Sequence, residues 1–455
     1  MLLKIASEIK KSNYIRSVLI LVGGTAGAQA IMILVLPLLT RLYTPDDFSI
    51  LAVYAAILGI GSVSACLRLD IAIPMPESDS VAANLLSLAF LSCTTIALLT
   101  ALLVFIAPIE IVNIINQPRL LDYLWLLPIG IFFSGTYNAL QYWSTRKKRF
   151  TTIATSRMEQ SIAGASTQVG FGFFAVAPLG LIVGQIFSSG GGIVRLLRST
   201  LSQDREALSS ITLRKMHDAF KTYENFPKYS SFEALANTIG IQLPIIIIAS
   251  LSIGPEAGCL MLAMKILQAP LGLLGSAIAQ VYLARGPAEH REGNLAEFTS
   301  QTVNNLLKTG AGPLIFCGIM APQVFALVFG DEWHRAGILA AWMTPWIVIQ
   351  FISSPISMVM HITNKQRRML GLTLTGLSIR VGCILIAIQL SSAFVSEVYA
   401  VTGAVFYGIC FKLFTKQAGF ERSHYVSAIK SAYPIVIGWA LLGVLASFIL
   451  QRIIQ

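Results

Sequence analysis

Residues 223–285 read Y-E-N-F-P-K-Y-S at 223–230, then an apolar run holding Asn237 and Pro244, a break at Gly254-Pro255, and a second apolar run that carries Lys265 and ends at Arg285. Each run approaches the about 20 apolar residues a helix needs to cross the hydrocarbon core of a bilayer. The lysine is the anomaly. A cation near the bilayer centre costs roughly 2.5–3.5 kcal/mol, so it faces a polar interior and has either a partner or a task.

The same pattern extends in both directions. Of 455 residues, 55% are hydrophobic and 12% charged, and the mean hydropathy is +0.71. Apolar content of this size, gathered in long runs, is the signature of membrane spans and leaves no room for a sizeable soluble domain. Hydropathy predicts about 13 spans, the first over 17–39 and the last over 433–450. The basic N-terminus (Lys4, Lys10, Lys11, Arg16) precedes a run too long for a signal peptide, which predicts an uncleaved first helix.

With the N-terminus in the cytoplasm, alternation places about 25 Lys and Arg residues inside and about 4 outside (Arg41, Arg119, Arg335, Arg452). That bias accounts for the net charge of +11 without a nucleic-acid partner. All six cysteines lie in apolar runs, with no C-x-x-C pair, and the five histidines match no metal spacing. No G-x-x-x-x-G-K-[ST] occurs, so no cofactor and no ATP hydrolysis are expected.

The longest connection divides the chain. The expected organisation is an N-terminal lobe of six spans (1–199) and a linker (200–230). A second lobe of six spans (231–415) and an additional C-terminal span (416–455) follow. In the linker, Leu213, Met216 and Phe220 share one helical face and suggest an amphipathic helix on the membrane surface; the competing reading is a solvated connection. Ala107-Pro108 is echoed by Ala321-Pro322, and Arg146-Lys147-Lys148-Arg149 by Lys365-Gln366-Arg367-Arg368. These echoes suggest a parallel repeat with a site between the halves.

Several stretches bear chemistry. In P-L-L-T-R-L-Y-T-P-D-D-F (37–48), Thr44, Pro45 and Asp47 form the start signal of a helix, and Arg41 sits at the expected outer mouth. Gly23, Gly24 and Gly27 offer either close helix packing or a hinge. Arg68 and Asp70, two apart, cannot face each other on a helix, so each seeks a partner elsewhere, as a structural bridge or as a substrate contact. The fifth span is too polar for lipid and must face protein or a wet cavity. Within it Arg157 either snorkels or meets substrate, and Glu159 is the candidate ion-coupling group, with Asp70 beside it in that role. Lys308 can snorkel. Lys265 and Arg380 cannot: they form buried ion pairs, Lys265 with Glu256 or Glu397, or they line a cavity and attract an anion. Trp333 in F-G-D-E-W (329–333) reads as an interfacial anchor. The loop is too short to build a catalytic site around Asp331 and Glu332.

Four stretches together resemble a known family. P-L-L-T-R-L-Y-T-P-D-D-F, R-L-D-I-A-I-P (68–74), Y-E-N-F-P-K-Y-S and A-M-K-I-L-Q-A-P (263–270) with G-S-A-I-A-Q-V (275–281) resemble the Wzx-type O-antigen and polysaccharide flippases. These belong to the MOP (multidrug/oligosaccharidyl-lipid/polysaccharide) exporter superfamily. The resemblance implies an all-α, polytopic membrane protein of two six-helix, MATE-like lobes plus a C-terminal helix. It implies alternating access in the bacterial inner membrane, and no enzymatic activity. The implied substrate is a polyprenyl-diphosphate-linked glycan. Membrane lipids, a polysaccharide polymerase and a chain-length regulator are the implied partners. The family's basic position falls on Lys265; Arg380, Arg68, Arg41 and Arg157 are the other candidate substrate-binding residues. An ion-coupled multidrug exporter and a polysaccharide polymerase or ligase are the alternatives. A drug exporter should have an acidic or apolar cavity, and a polymerase a large outer loop.

Overall fold

The computed structural model describes residues 13–251, 255–363 and 365–454. Lys4, Lys10 and Lys11, read above as an inner N-terminus, and Gly254, read as a break, lie outside the described residues. Among the described residues the secondary structure is helical, without a strand. Ten of the helical segments are long and apolar enough to cross a membrane. The predicted fourth, fifth and eighth spans are helical as well, but fall short of that criterion. The reason is visible for the fifth, which spends its length on Thr, Ser, Gln, Arg and Glu.

The chain forms two compact units, Met1–Tyr43 with Ile50–Gln242, and Thr44–Ser49 with Leu243–Gln455. The first contains α1 (Asn13–Leu42), most of α2 (Pro45–Ser64), α3 (Asp79–Ile106), α4 (Leu126–Arg146), α5 (Phe150–Phe173), α6 (Leu179–Gly190), α7 (Ile193–Gln203) and α8 (Leu213–Thr222). α5 packs along α1 and α6, and α3 along α4.

Small residues set these distances, since lipid supplies no hydrophobic drive between helices. A Cβ on Gly24 would lie 2.5 Å from that of Ala154, whereas Gly23 meets nothing within 4 Å and Gly27 only the tip of Met158. Close packing of α1 therefore falls on Gly24, not on the G-x-x-x-G pair. At the α5–α6 crossing, Gly164 and Gly184 face each other: a Cβ on either would come within 3.0 Å of the other's carbonyl oxygen.

The polar side chains of α5 act as interhelical ties. Tyr137 and Ser156 hydroxyls are 3.0 Å apart, Gln160 donates to the Ser189 carbonyl at 2.8 Å, and Gln168 donates to the Leu181 carbonyl at 3.3 Å. The basic turn after α4 is an ion-pair hub. Arg146 meets Asp79 at 2.8 Å, and Arg149 clasps the buried Asp204 at 2.7 and 2.8 Å. Trp143 donates to the same carboxylate at 2.9 Å.

α8 departs from expectation. Its buried residues are Met216 and Ala219, which pack toward α3, and the Thr212 amide donates to Asn84 at 3.1 Å. Leu213 is 84% exposed. The helix is docked on protein through a face one step round from the predicted apolar stripe.

α9 (Ser231–Ser250) leads into the second unit. There α10 (Glu256–Pro270), α11 (Ser276–Arg291), α12 (Leu295–Leu306), α13 (Gly312–Phe329), α14 (His334–Ile356), α15 (Gln366–Leu390), α16 (Val395–Ala418) and α17 (Arg422–Ile454) follow. α14 is the central element, packed on α10, α13 and α16. α17 lies along α13 through an edge-to-face contact of Phe316 and Trp439 at 5.6 Å.

Two repeat echoes differ in structure. Ala107 leaves the helical region (φ −131°, ψ 49°), as a residue before proline tends to, and α3 stops there. Pro322 instead sits inside an unbroken α13. Wide π-helical turns interrupt the helices at Phe226–Ser230, Leu271–Gly275 and Leu307–Ala311. The first two fall on or directly after stretches that carry the family resemblance, and such turns recur at functional positions.

Candidate functional site

Lys265 lies in the second half of α10, half-buried. It has no hydrogen-bond or ion-pair partner among the described residues. The carboxylates expected to neutralise it are taken: Arg335 holds Glu256 at 2.6 Å and Glu397 at 2.7 Å. That triad was not anticipated. Its sequence signal is slight: a charged residue in the first turn of each of three helices, α10, α14 and α16. The two glutamates also sit where a helix N-terminus favours negative charge.

Arg380, in α15, is buried and likewise meets no carboxylate. Its guanidinium lies over Phe406 at 4.6 Å, Tyr407 at 5.7 Å and Trp346 at 5.8 Å, and its Nε has no hydrogen-bond partner. Aromatic faces attract a cation through their quadrupole, and Arg more than Lys can stack on them. The cage holds the charge without cancelling it. Lys308, set aside above as a snorkelling residue, is exposed on the third π-helical turn.

The first unit holds the remaining candidates. Arg68 adopts a left-handed conformation (φ 59°) after Leu67 (φ 49°), at the start of the short helix Leu69–Ala72. Its Nε and Asp70 Oδ1 are both buried without hydrogen-bond partners. Asp70 lies beyond the end of α2. Burial raises its carboxyl above the usual range, against the pull of the Arg68 charge. Arg41 is exposed at the end of α1, and Arg157 donates to Thr25 at 2.5 Å. Glu159 faces away from the buried side of α5 and accepts from Arg195 Nε at 2.7 Å. Among the described residues, then, Lys265 and Arg380 of the second unit are half-buried and buried cations without an ion-pair partner, and the first unit brings Arg68 and the buried Asp70 together.

The arrangement is that of a multi-pass helical membrane protein with a fold shared with MurJ and the MATE transporters. The chain is similar to MurJ, a lipid II flippase in an inward closed conformation, at TM-score 0.67 and 12% identity, over 94% of this chain and 98% of that one. A multidrug-resistance MATE transporter in an inward-facing conformation matches at 0.58 and 14%, over 88% and 94%. The eukaryotic MATE transporter AtDTX14 matches at 0.54 and 14%, over 92% and 98%. Curated protein sequences give no match. Residues 38–337 match the model of a family described as "polysaccharide biosynthesis protein", and the chain belongs to that family.

Proposed function

We propose that this protein moves a polyprenyl-diphosphate-linked oligosaccharide, the repeat unit of O-antigen or another surface polysaccharide, from the inner to the outer leaflet of a bacterial inner membrane. The N-terminus is cytoplasmic in this reading, and the activity is transport, not catalysis. The observation that carries it is Lys265, a half-buried cation whose candidate counter-ions are committed to Arg335. A cation in a low-dielectric setting needs an anion, and a diphosphate supplies one in transit. Arg380 adds a second charge, and Arg68, Arg41 and Arg157 guide the head group at the two faces. Family membership and a fold shared with a lipid II flippase support the substrate class.

Asp70 is the preferred ion-coupling group, since its buried carboxyl titrates above the usual carboxylate range. Glu159, paired with Arg195, is less suited. A buried titratable acid would equally serve an ion-coupled drug exporter, which is the second reading. The test is transport of a fluorescent polyprenyl-diphosphate glycan in proteoliposomes. Lys265→Ala should lower the rate at least about tenfold, the value of one charge-assisted contact, with partial rescue by Lys265→Arg. Unchanged rates in both Lys265→Ala and Arg380→Ala would overturn the site, and export of lipophilic cations instead would favour the second reading.

A further inference from the structure

Away from Lys265 and Arg380, and with Glu159 in its lining, an open cleft of about 690 Å³ lies between α5 and α7 within the first unit. Its two ends differ in chemistry. Toward the basic turn it is lined by Thr152, Arg198, Ser199, Ser202 and Gln203; toward the middle of the helices, by Ile162, Ala163, Gly191 and Val194. Arg195 stands between these ends and is held in place by Glu159. Arg198 is exposed and has no hydrogen-bond or ion-pair partner among the described residues. Ile162 and Val194 are 50% and 68% exposed.

A groove that is cationic and hydroxyl-rich at one end and apolar along its length matches a lipid. Phosphate oxygens accept from guanidinium and hydroxyl groups, and hydrocarbon covers exposed Ile and Val. The polar end lies beside Arg146–Arg149, which the excess of Lys and Arg assigns to the cytoplasmic leaflet. We infer that this cleft is a binding site for a lipid of that leaflet with a net anionic phosphate head group, with Arg198 and the Arg195–Glu159 pair at its head group. The exposed Arg198 would then be neutralised by its ligand, and Glu159 would hold Arg195 at the correct angle.

Two lipids present this chemistry: an anionic phospholipid of the bilayer, and a polyprenyl diphosphate. The second source alone rests on the proposed transport function. The experiment uses the full-length protein in detergent, with native mass spectrometry to count retained lipid. The probes are dioleoyl phosphatidylglycerol, undecaprenyl diphosphate and, as the neutral reference, dioleoyl phosphatidylcholine. The variant is Arg198→Ala, with Arg198→Lys as the charge-keeping partner. Arg214→Ala, an exposed cation on α8 outside the cleft, controls for general surface charge.

The wild type should retain at least one of the two anionic lipids over zwitterionic phosphatidylcholine. Arg198→Ala should reduce that preference about fivefold, the effect of one arginine near an anionic lipid surface, while Arg198→Lys and Arg214→Ala keep most of it. Loss confined to phosphatidylglycerol assigns the cleft to bilayer lipid, and loss confined to undecaprenyl diphosphate assigns it to the transport route. Equal losses in Arg198→Ala and Arg214→Ala, or no preference in the wild type, would overturn the site. Because Lys265 lies on the other unit, its transport result and this lipid count fail independently.

Discussion

Phe48 and Trp333 meet edge to face, with ring centroids 4.8 Å apart and planes at 78°. Phe48 closes the P-L-L-T-R-L-Y-T-P-D-D-F stretch, and Trp333 closes F-G-D-E-W. Both are buried, at 0% and 1% exposure. Within the second unit, to which Thr44–Ser49 belongs, the start of α2 is held by this contact and by the Gly258 amide, which donates to Ser49 at 2.8 Å. Trp333 is thus a packing residue and not an interfacial anchor. Trp333→Ala should destabilise the protein by about 3–5 kcal/mol, as large core truncations do. Thermal unfolding in detergent reads this. An anchor at the lipid surface would leave the midpoint almost unmoved.

Arg335 organises the starts of α10, α14 and α16 through Glu256 and Glu397. Removing it leaves two carboxylates with little solvent, and Glu397 Oε2 already lacks a partner. Arg335→Met should cost up to about 3 kcal/mol, less than a fully buried pair because the arginine is one-third exposed. Adding Glu256→Gln to it should cost much less than the sum of the two single changes, a coupling of about 0.5–3 kcal/mol in a double-mutant cycle. Additive losses would mean the contact carries no energy.

Helix positions and the start of α2 were legible because they rest on local rules. Hydropathy found the spans, and the Thr44–Asp47 box forms as read, with the Thr44 amide donating to Asp47 at 3.0 Å and the Asp47 amide to Thr44 at 3.3 Å. What depends on distant pairing was not legible. Nothing near Arg335 in sequence announces Glu256 or Glu397, so both stand in the sequence as possible partners of Lys265. Trp333 departs from expectation for the same cause: an aromatic at a helix end has the sequence mark of a belt residue, and the Phe48 that buries it is distant in sequence. The π-helical turns leave no mark in hydropathy. The buried stripe of α8 shifted to Met216 and Ala219 because α3, not a lipid surface, chose the face.

Asp70 and Asp204 should give stability opposite dependences on pH. Burial raises the Asp70 carboxyl above its unfolded value. The native state then binds the extra proton, so its contribution is fully present below the unfolded carboxylate range and is lost as pH rises through the folded value. Asp70→Asn should remove that slope and raise the melting temperature at neutral pH. Melting curves from pH 4 to pH 8 check this; a variant with the wild-type slope would exclude Asp70 as its source.

At Asp204 burial pushes the carboxyl up, but Arg149, Trp143 and Lys147 together outweigh it and hold the group below its usual range. Its contribution is therefore present above the unfolded carboxylate value and lost as pH falls through the folded one. Asp204→Asn should flatten the acid side of the same curve and lower stability at neutral pH by about 3–5 kcal/mol, the cost of breaking a buried charge pair. A loss only at acid pH would contradict the assignment, since the carboxylate is ionised at neutral pH.

Arg380 separates folding from function. Its cage of Phe406, Tyr407 and Trp346 contains no anion, so the charge is a cost to the folded state in the absence of ligand. Arg380→Met keeps an apolar side chain of similar length against the same rings. Its thermal midpoint should equal or exceed the wild type, because replacing a poorly compensated buried charge by a packed apolar group is neutral or stabilising by about 1–4 kcal/mol. Transport of the polyprenyl-diphosphate glycan should fall at the same time. Arg380→Lys keeps the charge but loses the planar stack, and should sit between the two in rate. A more stable, slower protein is the signature of a cation retained for its ligand. A destabilised one would make Arg380 a structural residue, and unchanged transport would remove it from the site.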